Sequence, residues 1–442
     1  MFLWSKKNNR SKKTKNSRFS YKFAQIFSTK KQKNNKISLK KKTNEKKNSI
    51  NLGLLFNFNF SGDIVLFISF VFILIIGILV IFSASVVSAS FYTSDRFWFF
   101  FNHIEKIIVG IVFFCFFYFI RTDLLIKFSI FGFLTVSGIL IFLSTLALFG
   151  VVESVDGAAR WIEIFGVQFQ PSDFLKLFLI LLSAKTFSKI EKYPSLMDYL
   201  KSREFKILTI SILSIILVLV GNTNLGTSLV LFSILLSVYF VSSLNRWKIL
   251  VIIIFLFLGF LGSILFINLF AYRMDRIAVW YEYITTGNSR FLDCPNNPDC
   301  SYHFHNTLIT CGSGGLFGVG AGKSIGKYFL PKTSSSDDSV FCIMAEEHGF
   351  LVVSIVLGLL FFIAWRMVDA ANRIGNQEYK IILVGTSVWI VVQTFLHIGS
   401  NLGLTPMTGQ TLPFISLGGS SIVSLMSAMG ICIRVTGYKN EE

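Results

Sequence analysis

Ten apolar runs separated by mostly short polar connections leave this chain few ways to fold. They lie at about 63 to 82, 104 to 120, 128 to 149, 171 to 184, 206 to 221, 225 to 243, 249 to 270, 340 to 363, 380 to 399 and 412 to 433. Most are long enough to cross a hydrocarbon layer as helices, in which every backbone amide is bonded within its own segment. The fourth is short and would have to tilt, break or turn back. With 53% hydrophobic and 15% charged residues, and 49 Phe among 442 residues, a soluble globular fold is excluded. The expected fold class is an all-α polytopic membrane protein of about ten transmembrane helices. Residues 61–436 form its single membrane domain, and 437–442 form a short tail.

The charges test that layout independently. Residues 1–60 carry 17 Lys/Arg against one acidic residue, Glu45, in Lys/Asn/Ser-rich sequence. This composition reads as a disordered basic tail that stays in the cytosol and can touch anionic lipid. It is too long and too polar to be an ordinary secretory signal. The net charge of +18 is concentrated there, which argues against nucleic acid as the protein's main partner, although the tail itself could meet RNA or a partner protein. With the tail inside, ten spans place the connections near 121–127, 185–206, 244–248 and 364–380, and the end from 434, on the cytosolic side. Together with the tail these segments hold 32 of the 42 basic residues, so hydropathy and the positive-inside rule agree. Both termini are then cytosolic, and the large loop 271–339 faces outward.

Polar groups gather at four places toward the outer face. DGAARWIEIFGVQFQPSDFLKL, 156–177, contains Arg160, Asp173 and Lys176. Pro171 suits a helix start, and Asp173 and Lys176 are three apart, so they share a helix face. An intramembrane lysine points to function, or else to a buried pair that fixes two helices. AYRMDRIAVW, 271–280, opens the outer loop with Arg273 and Arg276, whose guanidinium forks suit phosphate. SYHFHNTLITCGSGGLFGVGAGKS, 301–324, is glycine-rich without being a GxxxxGK[ST] phosphate loop. Its His303 and His305 lack a third ligand for zinc. Cys294 and Cys300, on the outer and oxidising side, could close a small disulfide or remain free. LPKTSSSDDSVFCIMAEEHG, 330–349, places Asp337 and Asp338 at the start of the eighth run and Glu346 and Glu347 two to three turns deeper. One aspartate of the pair could cap the helix and the other act as a base, and composition does not rank them.

These segments together resemble the SEDS (shape, elongation, division and sporulation) family of peptidoglycan glycosyltransferases, and more its division branch than its rod-elongation branch. The likeness spans most of 62–436. It is carried by FSAS at 82–85, GAARWI at 157–162, QPSDFLKL at 170–177, NLGT at 224–227, YRMDRI at 272–277, GSGGLFGVGAGKSIGKYFLP at 312–331, DSVFCIMAEEHG at 338–349 and NLGLTPMTGQTLPFISLGGSS at 401–421. The chain departs from the family pattern at Asp173, where a glutamate is common, and at Asn222–Asn224, where a Pro-Asp pair is lost. It also departs at Tyr302–His303, at Ser336–Asp337, which stand for a histidine and a threonine, and at Leu417, which stands for a tyrosine.

The resemblance implies ten transmembrane helices and polymerisation of lipid II outside the membrane with release of undecaprenyl pyrophosphate. It selects Asp338 as the catalytic residue and maps conserved basic positions to Arg160 and Lys176. With Arg273 and Arg276 these would hold pyrophosphate, supported by Asp173, Glu346 and Glu347. The implied partners are a class B penicillin-binding transpeptidase and other divisome membrane proteins. A divalent cation, Mg or Mn, could assist, although no dedicated metal site is legible. The rival readings are a lipid II flippase and a scaffold that only recruits the transpeptidase. The expected location is the septal inner membrane of a bacterium, or alternatively a peptidoglycan-bearing plastid.

Overall fold

The structure, a computed structural model, describes residues 61–92, 97–149, 161–164, 167–189, 193–222, 224–242, 271–287, 300–330 and 337–438. It is built almost wholly of helices: α1 (Ile64–Tyr92), α2 (Trp98–Phe119), α3 (Thr122–Leu148), α4 (Pro171–Phe187), α5 (Leu196–Lys201), α6 (Arg203–Val220), α7 (Leu225–Val241), α8 (Ala271–Thr286), α9 (Cys300–Ser313), α10 (Gly326–Phe329), α11 (Val340–Arg373), α12 (Gln377–Asn401) and α13 (Gly419–Thr436). A short antiparallel pair, β1 (Ile162–Ile164) and β2 (Val167–Phe169), leads into α4, with Glu163 opposite Gln168.

Six helices among the described residues are long and apolar enough to cross a membrane: α1, α2, α3, α11, α12 and α13. Helices α4, α6 and α7 also form where spans were expected. The expected span at 249–270 lies outside the described residues. Local chemistry sets several helix starts. Pro171 occupies the first turn of α4, where its missing N–H costs nothing. The Asn224 side chain caps α7 by accepting from the Thr227 amide at 3.0 Å, and Asn376 caps α12 through the Glu378 amide at 2.8 Å.

Helices α4, α12 and α13 are buried along nearly their whole length and form the centre of the bundle. The others pack around them with one apolar side outward, as with Phe131 and Phe142 on α3 and Val112 on α2. Outward Phe and Val are stable where the surroundings are lipid tails. Helices α2 and α13 pack closely against each other. A Cβ on Gly430 would lie 2.5 Å from the Phe114 carbonyl oxygen, so only glycine admits this approach.

Two expected boundaries need correction. The last span begins at Gly419 rather than near 412, so Pro413, inside the expected run, lies in a loop over 402–418. That loop is held by packing: Phe414 is buried at a positive φ of 64°, its ring set edge-on against Phe70 at 5.5 Å. The eighth span runs to Arg373 and is broken at Gly349, where φ is 77° and ψ 175°. A left-handed residue inside a helix frees backbone groups on both sides, which must find partners elsewhere. The glycine-rich loop supplies them. The Val319 and Gly320 amides donate to the Glu346 and Glu347 carbonyls at 2.9 Å, and the Phe350 amide donates to Gly315 at 2.9 Å.

Candidate active site

The turn before α11 carries both aspartates of the DDS sequence. Its backbone is pinned from two sides: Asn401, at the end of α12, donates through Nδ2 to the Asp338 carbonyl at 2.8 Å, and Ser416 donates to the Asp337 carbonyl at 2.9 Å. The Asp338 carboxylate oxygens face Gly409, 3.8 and 4.0 Å from where a Cβ there would sit. Next in the chain, Ser339 is fully buried and bonded to His303 Nε2 of α9 at 3.1 Å. Burial, and then the neighbouring Arg276, push the His303 imidazole down to about 4, so it is neutral at physiological pH. Arg276, on α8, donates to the Met407 carbonyl at 3.3 Å and so reaches the same 402–418 loop.

Asp337 behaves differently from its neighbour. Its Oδ1 atom is shielded from solvent and has no hydrogen-bond partner among the described residues. Burial, and then the adjacent Asp338, raise its carboxyl to about 7, and Lys106 of α2 opposes that rise. Lys106 projects across the start of α13 and donates to the Leu417 carbonyl at 3.3 Å.

Asp173 and Lys176 pair at 2.8 Å on α4, both buried. Lys176 also donates to Gln393 Oε1 at 3.3 Å and lies 5.2 Å from the centre of the Trp389 ring on α12. Gln393 in turn donates to the Thr411 carbonyl at 2.9 Å, tying this charged network to the loop against which Asp338 sits. The lysine therefore lies in a closed set of contacts.

Glu346 and Glu347 turn to opposite tasks. Glu346 accepts from Ser324 and from the Ile325 and Gly326 amides at 3.1 Å, fixing the start of α10. Glu347 pairs with Lys327 and accepts from Ser83 of α1 at 2.5 Å. Lys327 donates to the Ser83 carbonyl at 2.9 Å, so the two buried charges are neutralised where α1, α10 and α11 meet. They organise the outer loop above the helix break.

Arg160 and Cys294 lie outside the described residues, as do the side chains of Arg273 and Cys300, so the Cys294–Cys300 pairing does too. A disulfide does join Cys311 of α9 to Cys342 of α11, Cα atoms 4.2 Å apart, one turn beyond the Asp338 turn. Sequence reasoning passed over this pair because 31 residues separate its members. It also gave no role to Lys106, which follows His103 and Glu105 near the start of an apolar run, or to Asn401, which it quoted only as the first residue of the 401–421 motif. Among the described residues no group of three His, Cys, Asp or Glu side chains is placed to hold a metal ion.

Comparison with known proteins decides the family. Residues 64–441 match the model of the FtsW, RodA and SpoVE cell cycle proteins. The chain belongs to this family. It is 32% identical over 387 residues to the probable peptidoglycan glycosyltransferase FtsW of Wigglesworthia glossinidia brevipalpis, covering 85% of this chain and 93% of that one. The probable peptidoglycan glycosyltransferase FtsW of Enterococcus hirae is 32% identical over 70% of this chain and 75% of its own length. Stage V sporulation protein E of Bacillus subtilis is 30% identical over 86% of this chain and 98% of its own. Among solved structures, a chain from a peptidoglycan synthase complex that coordinates polymerisation and crosslinking superposes with a TM-score of 0.65 at 22% identity, covering 86% of this chain and 99% of that one. The rod shape determining protein RodA of Thermus thermophilus gives 0.57 at 21%, covering 86% of this chain and 98% of its own. These two likenesses speak to the fold alone.

Proposed function

We propose that this chain is a peptidoglycan glycosyltransferase that polymerises lipid II into glycan strands during septal cell-wall synthesis, with Asp338 as its general base. The activity follows from family membership and from relatives that are themselves named probable peptidoglycan glycosyltransferases. One geometric observation favours Asp338: its backbone is clamped by Asn401 while its carboxylate faces Gly409 of the 402–418 loop. A fixed backbone with a presented side chain is what proton abstraction in a set geometry needs.

In the reaction, Asp338 takes the proton from the acceptor sugar hydroxyl as that oxygen attacks the donor's anomeric carbon. The bond from that carbon to the pyrophosphate breaks, undecaprenyl pyrophosphate leaves with the electron pair, and the anomeric configuration inverts. Arg160, Arg273 and Arg276 hold the pyrophosphates and neutralise the charge that develops on the leaving group. Lys176, closed in by Asp173 and Gln393, acts through the 402–418 loop. The partner is a class B penicillin-binding transpeptidase, a reading supported by the likeness to a chain from a peptidoglycan synthase complex. The site of action is the outer face of a bacterial inner membrane at the septum, where other divisome membrane proteins assemble.

The test is glycan polymerisation by the purified chain with its transpeptidase, using lipid II in detergent, where there is no bilayer to flip across. D338N should lose activity by at least about 100-fold, the usual contribution of a positioned base. Near-normal polymer from D338N, with loss in D337N instead, would move the base to Asp337.

A further inference from the structure

Gln393, His397 and Asn401 follow one another at four-residue intervals on α12, so they share one face over successive turns, and all three are buried. Each donates to the backbone of a segment that borders the DDS turn. Gln393 Nε2 donates to the Thr411 carbonyl at 2.9 Å, His397 Nδ1 to the Gln410 carbonyl at 2.6 Å, and Asn401 Nδ2 to the Asp338 carbonyl at 2.8 Å. A carbonyl only accepts, so the proton of this contact is on His397 Nδ1. The other ring nitrogen, Nε2, is enclosed and has no partner among the described residues. The ring is thus committed to Gln410.

Gln410 is held from its far side as well. Its side chain presses on α7, where a Cβ on Gly226 would lie 2.6 Å from it, and its Nε2 donates to Thr227 at 3.3 Å. The residue before it, Gly409, is the one that faces the Asp338 carboxylate. The His397 carbonyl also accepts, at 2.8 Å, from the same Asn401 Nδ2 that clamps Asp338. Both walls of the gap in front of the carboxylate, the DDS turn and the 402–418 loop, are therefore placed by one helix face.

We propose that His397 is a positioning residue for the glycosyl transfer: its bond to the Gln410 carbonyl fixes Gly409 at the distance from Asp338 at which the acceptor hydroxyl meets the base. This rests on Asp338 being the base. His397 is buried and acts through the loop backbone, not on substrate. A buried carbonyl that loses its donor is left unsatisfied, so the loop shifts to pair it elsewhere. A displacement of about 1 Å at a reacting pair costs on the order of 100-fold in rate. The loss falls on kcat, because the gap governs the reacting step.

The experiment compares H397N with H397L in the full chain with its transpeptidase, reading kcat and KM for lipid II polymerisation in detergent. Asparagine and leucine have nearly the same shape, and asparagine Nδ2, like histidine Nδ1, is bonded to Cγ. The two variants therefore leave the same space and differ in the donor. H397N should keep kcat within about 3-fold of the parent, whereas H397L should lose about 10- to 100-fold in kcat with KM changed by less than about 3-fold. A residue that only fills space gives two equal variants. Equal kcat for H397N and H397L, or a loss carried by KM with kcat intact, overturns the proposal; H397M replaces H397L if the leucine variant does not fold. Equal variants beside an inactive D338N sink this inference alone, whereas an active D338N sinks the assignment of the base and this inference with it.

Discussion

Lys176 is 1% exposed, and what keeps an ammonium there is the carboxylate of Asp173 at 2.8 Å together with Gln393 and the face of Trp389. Removing one member of a buried pair strands the other charge, at a cost of about 3 to 5 kcal/mol. K176M should therefore lower the thermal unfolding midpoint in detergent markedly, and D173N/K176M should recover part of the loss because no lone carboxylate remains. A double variant no more stable than K176M would show that the pair is not what holds this position. Asp337 gives a second prediction, of pH dependence. Its carboxyl is raised from 3.8 to about 7 by burial and by Asp338, so the native state binds more protons than the unfolded chain between those values. The contribution to stability is complete below about pH 4 and is lost as pH rises through about 7. D337N should accordingly gain in unfolding midpoint relative to the parent as pH rises from about 5 to 8, and a difference independent of pH would contradict the assignment.

Among the elements, α11 depends most on a single residue. Gly349 breaks it at φ 77°, and the freed carbonyls and amides are bonded by residues 315–320 of the glycine-rich loop. A side chain here meets two obstacles, an unfavourable φ and backbone already in place, since a Cβ would sit 2.5 Å from the Leu316 carbonyl oxygen. G349A should cost more than about 2 kcal/mol and raise hydrogen exchange at the amides of Val319, Gly320 and Phe350. Unchanged exchange at those three amides would mean that the loop holds its shape without the break. Through Glu346 and Glu347 the same break fixes Ser324 to Lys327 against α1, so damage at Gly349 is expected to spread to the outer loop.

For the molecule as a whole, the bundle has two chemically distinct ends. At one, Asp63 pairs with Arg366 at 2.7 Å, Arg434 donates to Ser61 at 2.9 Å and Tyr379 donates to Asp123 at 3.3 Å. At the other lie the DDS turn, the 402–418 loop and helices α8 to α10. The positive-inside rule leads us to propose that the first end faces the cytosol and the second the outside. In a cysteine-free background, single cysteines at positions 284 and 325, both exposed in the structure, should react with a membrane-impermeant maleimide in intact cells, and one at 376 should react only after lysis. The reverse pattern would invert the topology and put the DDS turn on the wrong side for lipid II polymerisation.

Apolar runs and lysine counts were enough to read a polytopic helical bundle, because crossing lipid forces long uninterrupted segments and leaves basic loops behind. The helix start at Pro171 was also a local matter, settled by a missing N–H. The choice of Asp338 over Asp337 came from family resemblance, since two identical neighbours have the same intrinsic chemistry. Only the tertiary structure separates their surroundings: the charge of Lys106, on a helix more than 200 residues earlier in the chain, opposes the rise of the Asp337 carboxyl, and Gly409 faces Asp338 from a loop that follows it. The Cys311–Cys342 bond, the closed Lys176 network and the loop that repairs the break at Gly349 have the same origin. Each joins segments distant along the chain, and the energy of such a contact depends on which groups packing brings together, a quantity no local stretch of sequence contains.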